Sequence, residues 1–279
     1  MIVGTLYVVA TPIGNLDDMA PRAVETLRAV HVIAAEDTRH SAKLLRRFDI
    51  ATPMLSYHQH NEREREARLM AALTEGDVAL ISDAGTPAIS DPGQKLVAAA
   101  LARGHRVVPI PGPSALTAAV SASGMVPGPF VFLGFVPRAG EERRRALTKA
   151  STSGFPVVVF ESPVRLGGTL ADLSAAFGDR PALVARELTK IHEELSFGSL
   201  AALAEQFQET EPRGEVVIVV GEQIEISTDG GDIEAVVRRL LADGLKPSRV
   251  AREAAAITGR PGAELYDLVR EVAGQLEIE

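Results

Sequence analysis

The sequence predicts an α/β protein: two successive α/β domains followed by a small helical appendage. Three observations carry this. Short apolar runs rich in Val, Ile and Leu alternate with longer helical stretches, the pattern of a mostly parallel sheet covered by helices. That alternation is interrupted once by the stiff segment Pro109 to Leu116, which holds Pro109, Pro111 and Pro113, and it stops after Gly221. The length, 279 residues, also exceeds what one core usually reaches before a chain divides.

In the first part the strand-like runs are Leu6 to Ala10, Val32 to Glu36, a weaker one at Met54 to Tyr57, Val78 to Ser82 and Arg106 to Ile110. Asn15, Asp17 and Asp18 precede the helix carrying Pro21 to Val30, and Thr38 or Ser41 can start the helix that ends near Phe48, because such side chains accept from first-turn amides. In the second part the runs are Phe130 to Val136, Val157 to Glu161, Ala182 to Glu187 and Glu215 to Val220. The connection after Glu187 has no clear pattern, which leaves room for a mixed sheet. Gln223 to Asp232 reads as a linker. Three helical segments follow, Ile233 to Ala242, Ser248 to Thr258 and Ala263 to Leu276, separated by Gly244, Pro247, Gly259, Pro261 and Gly262. Helix-turn-helix spacing and a plain capping bundle share this pattern. The expected domains are 1–113, 114–222 and 232–279.

The composition excludes several classes. No segment approaches the ~20 continuous apolar residues of a membrane span, and the opening MIVGTLYVVATPIGN reads as a strand entering a turn rather than a signal peptide. The absence of cysteine removes disulfides and thiolate chemistry and fits a cytoplasmic setting. A net charge of −8 argues against broad electrostatic coating of nucleic acid, so any RNA contact has to be local. Two basic clusters qualify: Arg39, Lys43, Arg46 and Arg47 on one helix face, and Arg143, Arg144 and Arg145 with Lys149. Either also reads as a solvated face.

In open parallel sheets ligands bind beyond the carboxyl ends of the strands. The segments there are Thr11 to Asn15, Glu36 to His40, Ser82 to Gly93 and Pro111 to Ala115, and they are rich in Gly, Pro, Asp and Ser. Glycine admits close approach of backbone to ligand, and proline fixes a loop beforehand. No GxGxxG fingerprint, Walker loop, HExxH or GxSxG motif occurs. His58 and His60 flank one residue, a spacing that sends strand side chains to opposite faces, so no metal site is expected. The remaining inference is a nucleotide-like ligand held without a phosphate cradle.

At these loops the chain resembles the tetrapyrrole methylase superfamily of S-adenosylmethionine enzymes, in its ribosomal RNA branch. The resemblance rests on Leu6 to Asp18, Ala34 to Leu45, Leu80 to Gly93, Pro109 to Gly124, Phe132 to Arg138, Phe160 to Leu166, Ala185 to Glu194 and Arg213 to Val220. It covers nearly the whole chain. It implies a cofactor, S-adenosylmethionine, in the cleft between two α/β domains, a homodimer, and a target in the 16S rRNA of the 30S subunit, the 2′-hydroxyl of the decoding-region cytidine 1402. Matched motif by motif, the resemblance implies a cofactor pocket of Pro12, Asp83, Gly85, Thr86, Ile89, Ser114, Ala115, Phe160 and Glu161.

Methyl transfer from a sulfonium is an in-line displacement, so alignment supplies most of the rate. The 2′-hydroxyl is a poor nucleophile, and a positioned base or cation helps it. Glu36 with Asp37, Arg186 with Glu187, Lys190, and Glu161 are the available groups. Asp37, Glu187 and Lys190 are the expected catalytic set, with Glu36, Arg39, Lys43, Arg46 and Arg186 facing the substrate. Two alternatives stand beside this reading, a methyltransferase acting on a tetrapyrrole and a non-catalytic RNA-binding assembly factor.

Overall fold

The computed structural model describes residues 4–208, 214–222, 230–242, 245–258 and 262–276, and the chain divides into two units, Met1–Glu222 and Gln223–Glu279. The first unit opens with five parallel strands: β1 (Thr5–Val9), β2 (Val32–Ala35), β3 (Met54–Ser56), β4 (Val78–Ile81) and β5 (Arg106–Ile110), in the order β3-β2-β4-β1-β5. The helices α1 (Pro21–Ala29), α2 (Thr38–Arg47), α3 (Glu62–Glu75) and α4 (Gln94–Ala102) connect them. Val9, Ile33 and Ile81 bury against Leu27 and Leu45 on one face, while Leu6, Val78 and Leu80 bury against Leu69, Leu73 and Leu96 on the other. A sheet covered on both faces needs apolar residues at every strand position, which is why its runs are continuous in sequence. All five carboxyl ends lie along one edge.

Helix α5 (Ala115–Ser123) leaves this layer and packs Ala119 against Val158, Leu183 and Val219 of the second sheet. That sheet contains β6 (Val131–Phe135), β7 (Val157–Glu161), β8 (Pro181–Arg186), β9 (Glu194–Ser199) and β10 (Val216–Val220), ordered β6-β7-β10-β8-β9. It is mixed: β6 and β7 are parallel, and β10 runs antiparallel to β7 and β8. Helices α6 (Gly140–Ser151), α7 (Leu166–Phe177) and α8 (Leu200–Gln208) complete it. Strand β9 has no counterpart among the sequence-expected runs. It is an edge strand with Leu195 and Phe197 exposed, and its Glu, Ser and Gly residues give no apolar run to detect.

Several local expectations change. Asn15 caps a single 3₁₀ turn, Leu16–Asp18, accepting from the Asp17 amide at 3.1 Å, and α1 begins instead with Pro21 after Ala20. The cap of α2 is Asp37, ahead of Thr38 and Ser41: its Oδ1 accepts from the amides of Arg39 (2.8 Å) and His40 (3.4 Å). The second basic cluster is split: Arg144, Arg145 and Lys149 are exposed, but its first member turns inward. Arg143 is 8% exposed and donates to Asp172 (2.7 Å), Thr169 Oγ1 (2.9 Å) and the Pro137 carbonyl (3.0 Å), while Arg145 pairs with Glu141 one turn away.

The second unit packs α9 (Gly230–Ala242), α10 (Pro247–Thr258) and α11 (Gly262–Leu276) around Ile233, Val237, Val250, Ala254, Leu265 and Val269. Gly230, Gly231 and Asp232, expected in the linker, belong to α9; the rest of the expected linker lies outside the described residues. Among the described residues no helix is long and apolar enough to cross a membrane.

Candidate functional site

The carboxyl edge of the first sheet faces the second sheet across a cleft of about 350 Å³. From the first side it is walled by Ile13, Glu36, the Asp83–Asp91 loop and the Ser114–Ala115 start of α5; from the other by Phe135, Phe160, Glu161 and the Gly214–Val217 segment entering β10. Apolar walls with a few convergent polar groups are what a small organic ligand requires.

The loops are tied to one another rather than hanging from their strands. Thr11 and Gly85 exchange two main-chain hydrogen bonds, Thr86 Oγ1 donates to the Pro113 carbonyl at 3.3 Å, and the Asp37 amide donates to Asp83 Oδ1 at 3.0 Å. Gly85 has φ +74°, and Ala88 and Ser90 also adopt left-handed backbone with φ +66° each. Such conformations in residues with a Cβ cost of order 1–3 kcal/mol apiece and persist only where surroundings impose them, which clusters them at ligand sites. Gly14 presses on the opposite half: a Cβ there would overlap the side chain of Lys190, so the first loop closes against the segment after β8 because residue 14 has no side chain.

On the second side, Phe160 packs edge-on against Phe132 and Phe135, with ring centroids at 4.9 and 5.8 Å. Glu161 is 2% exposed, and its carboxylate is held by the Ser162 amide (2.7 Å), Thr169 Oγ1 (2.6 Å) and Arg165 (3.0 Å). Since Thr169 also accepts from Arg143, the buried arginine braces the cleft wall at one remove.

The electrostatics divide the acids into two groups. Glu36 is pushed above the ordinary carboxylate value by burial, with Asp91 and Asp83 adding to it, and Asp91 is raised by burial, Asp83 and Glu215. Carboxylates crowded in a partly dry cleft resist becoming charged together and favour a cation between them. Elsewhere the acids are satisfied. Glu187 is held low by a hydrogen bond from Lys190, Glu194 by Arg186, and Asp37 by the Arg39 amide. Lys190 spans Glu187 (2.7 Å) and Glu215 (3.2 Å); burial opposes its charge, yet these two acids raise its pKa on balance.

Of the residues expected around the cofactor, Asp83, Gly85, Thr86, Ile89, Ser114, Ala115, Phe160 and Glu161 are on the cleft wall, as is Glu36. Pro12 is not on it; its neighbour Ile13 is. Asp37 serves as a helix cap, while Glu187, Lys190 and Arg186 form ion pairs beside the cleft and are not on its wall. Arg39, Lys43, Arg46 and Arg47 are exposed on α2, opposite its buried Ser41 and Leu45. Sequence reasoning misses Phe135, Asp91 and Glu215. All three lie inside the quoted motifs, Phe135 at the end of β6 and Glu215 just before β10, but the side chains that reach the cleft are fixed only by the fold. Among the described residues no group of three or more His, Asp or Glu side chains could hold a metal ion.

The family model for tetrapyrrole (corrin/porphyrin) methylases matches residues 5–204. The chain is 45% identical over 274 residues to the ribosomal RNA small subunit methyltransferase I of Synechocystis sp., covering 96% of this chain and 98% of the relative. It is 47% identical to the protein of that name in Pseudomonas aeruginosa, covering 99% and 100%. The fold is similar to that of a uroporphyrin-III C-methyltransferase from Thermus thermophilus complexed with S-adenosylhomocysteine, with a TM-score of 0.56 and 21% identity over 78% of this chain and 97% of that one.

Proposed function

The chain belongs to the tetrapyrrole (corrin/porphyrin) methylases, and from that premise we propose that it is an S-adenosylmethionine-dependent methyltransferase acting on small-subunit ribosomal RNA, at the ribose 2′-hydroxyl of cytidine 1402. The names carried by its 45–47% identical relatives support the RNA class. The observation on this chain that carries the reading is the position of the exposed basic face of α2. Arg39 follows the cleft residue Glu36 by three positions, with Lys43, Arg46 and Arg47 continuing the face, so RNA phosphates gripped by this helix sit at the lip of the cleft. A basic face alone also suits a polycarboxylate tetrapyrrole, and it is the relatives' names that favour RNA.

The cleft fits the cofactor. Ile13, Ile89, Phe135 and Phe160 offer apolar surface for an adenine ring, and Asp83 and Asp91 offer negative charge to a sulfonium. When bound, S-adenosylmethionine supplies an electrophilic methyl group on a good leaving group. The protein's own share is positioning: the tied loops exclude water and fix one wall, and α2 holds the RNA backbone. Exposed Leu195 and Phe197 on the β9 edge, with Ile191 98% exposed just before it, suit the homodimer of this reading. A ribosomal substrate fits an enzyme of the cytoplasm.

The test supplies methyl-labelled cofactor with 30S particles, naked 16S rRNA and a precorrin-type substrate. Label in either RNA sample supports the reading; label only in the tetrapyrrole moves the chain to the small-molecule branch. Cofactor binding without transfer to any of the three makes it a binding factor.

A further inference from the structure

Within the proposed reaction the proton acceptor is unassigned, and the commitments of the acidic side chains single one out. Asp37 spends Oδ1 on two amides of α2 and turns Oδ2 toward Arg39. Asp83 Oδ1 holds the Asp37 amide. Glu161 is buried with both oxygens bonded, Glu187 is tied to Lys190 and to the Glu215 amide, and Glu215 itself reaches Lys190. Asp91 lines the cleft too, but it belongs to the loop after β4 and not to the start of α2. Glu36 differs. It lines the cleft, and among the described residues its one hydrogen bond is a weak 3.5 Å contact from the Asp83 amide to Oε2. It also stands one residue ahead of the cap of α2, at the seam between cofactor cleft and basic face.

Resting on the reading of this chain as an RNA ribose methyltransferase, we propose that Glu36 is the proton acceptor for the attacking 2′-hydroxyl. As the bond from O2′ to the methyl carbon forms, the carbon–sulfur bond breaks and its electron pair stays on sulfur. The O2′–H bond gives its proton to the Glu36 carboxylate, which later releases it to water. The groups facing Glu36 are all acidic: Asp91 and Asp83 from the loop after β4, and Asp37 beside it. Together with burial they make its carboxylate a stronger base than an exposed one, while it stays in hydrogen-bonding reach of a ribose at the lip.

Glu36→Gln keeps the shape and the contact surface but cannot take a proton. Single-turnover transfer to 30S particles should fall roughly 100- to 10,000-fold, the usual share of a general base. Cofactor affinity by calorimetry should be retained, and the unfolding midpoint should not fall. Glu36→Asp, which keeps the carboxylate one methylene further back, should recover part of the rate. In the free protein, ¹³C-glutamate NMR should show one carboxyl titrating above the ordinary 4.5 and missing from Glu36→Gln. Transfer by Glu36→Gln at the wild-type rate, a loss of cofactor affinity together with activity, or no raised carboxyl in the titration overturns the assignment. Wild-type protein that labels no RNA overturns the substrate reading, and the assignment falls with it; normal labelling by both proteins defeats the assignment alone.

Discussion

Thr11 and Gly85 form a two-residue antiparallel bridge, N–H to O=C at 2.9 Å and 3.0 Å, which ties the loop after β1 to the loop after β4. Gly85 holds φ +74°, and a Cβ added to it would stand 3.4 Å from Ile13 Cγ2, at the cleft wall. Gly85→Val therefore meets both backbone strain of about 1–3 kcal/mol and an obstructed ligand approach. The folded variant should lose cofactor binding by calorimetry, with a matching drop in the urea midpoint. Wild-type affinity in a folded variant would reduce the loop to a turn.

Arg143 should matter for stability and not for RNA. Arg143→Ala leaves Thr169 and Asp172 short of a donor at a site where the arginine is nearly buried, a loss of about 1–3 kcal/mol. Arg145→Ala breaks only an exposed pair with Glu141 and should cost less than about 1 kcal/mol. Chemical denaturation of the two variants separates them; equal midpoints would contradict the network, and weaker RNA binding by stably folded Arg145→Ala would restore this helix as an RNA contact.

The first sheet is legible in the sequence because burial on both faces forces continuous apolar strands, and its strand-end loops announce themselves in Gly, Pro and Asp. The family resemblance adds the individual residues Asp83, Gly85, Thr86 and Ile89, and they share one wall of the cleft. The edge strand β9 is illegible for the converse reason, since Leu195 and Phe197 face outward. Spacing alone cannot separate the basic clusters. Arg143, Arg144 and Arg145 are adjacent in sequence, but only the fold shows that the first turns inward to Asp172 and Thr169. Nor can spacing show that Asp37 is consumed as a cap while its neighbour Glu36 is left with one weak bond, because that depends on where the amides of α2 point.

The basic face of α2 predicts a salt signature. Lys43→Glu combined with Arg46→Glu should weaken binding to 30S particles and lower the slope of log affinity against log salt by roughly 0.7 to 0.9 for each phosphate left unneutralised. Cofactor affinity should stay unchanged, since neither residue lines the cleft. Titration at several salt concentrations checks both; an unaltered slope would return this face to solvent or to a subunit interface.

The cleft acids predict an inverted pH effect on stability. Glu36 and Asp91 are raised above 4.5 and 3.8, so their contribution to stability is present below those values and lost as pH rises through the raised ones. Asp91→Asn should then unfold later than wild type at neutral pH, an advantage that disappears below the ordinary carboxylate range. Glu187 is held low by Lys190, so Glu187→Gln should show the opposite sign, less stable at neutral pH and converging with wild type in acid. Urea midpoints across pH decide the matter; parallel curves for wild type and Asp91→Asn would remove the crowding argument.

The most direct test of the central claim is the chemical identity of the product. Small subunits lacking the modification are incubated with the purified protein and S-adenosylmethionine, the rRNA is digested to nucleosides, and the digest is read by mass spectrometry. Wild-type protein should form 2′-O-methylcytidine, and Glu36→Gln roughly 100-fold less or lower still in the same time. A methyl group found on a base, or no methylated nucleoside from active, cofactor-binding protein, would contradict the claim.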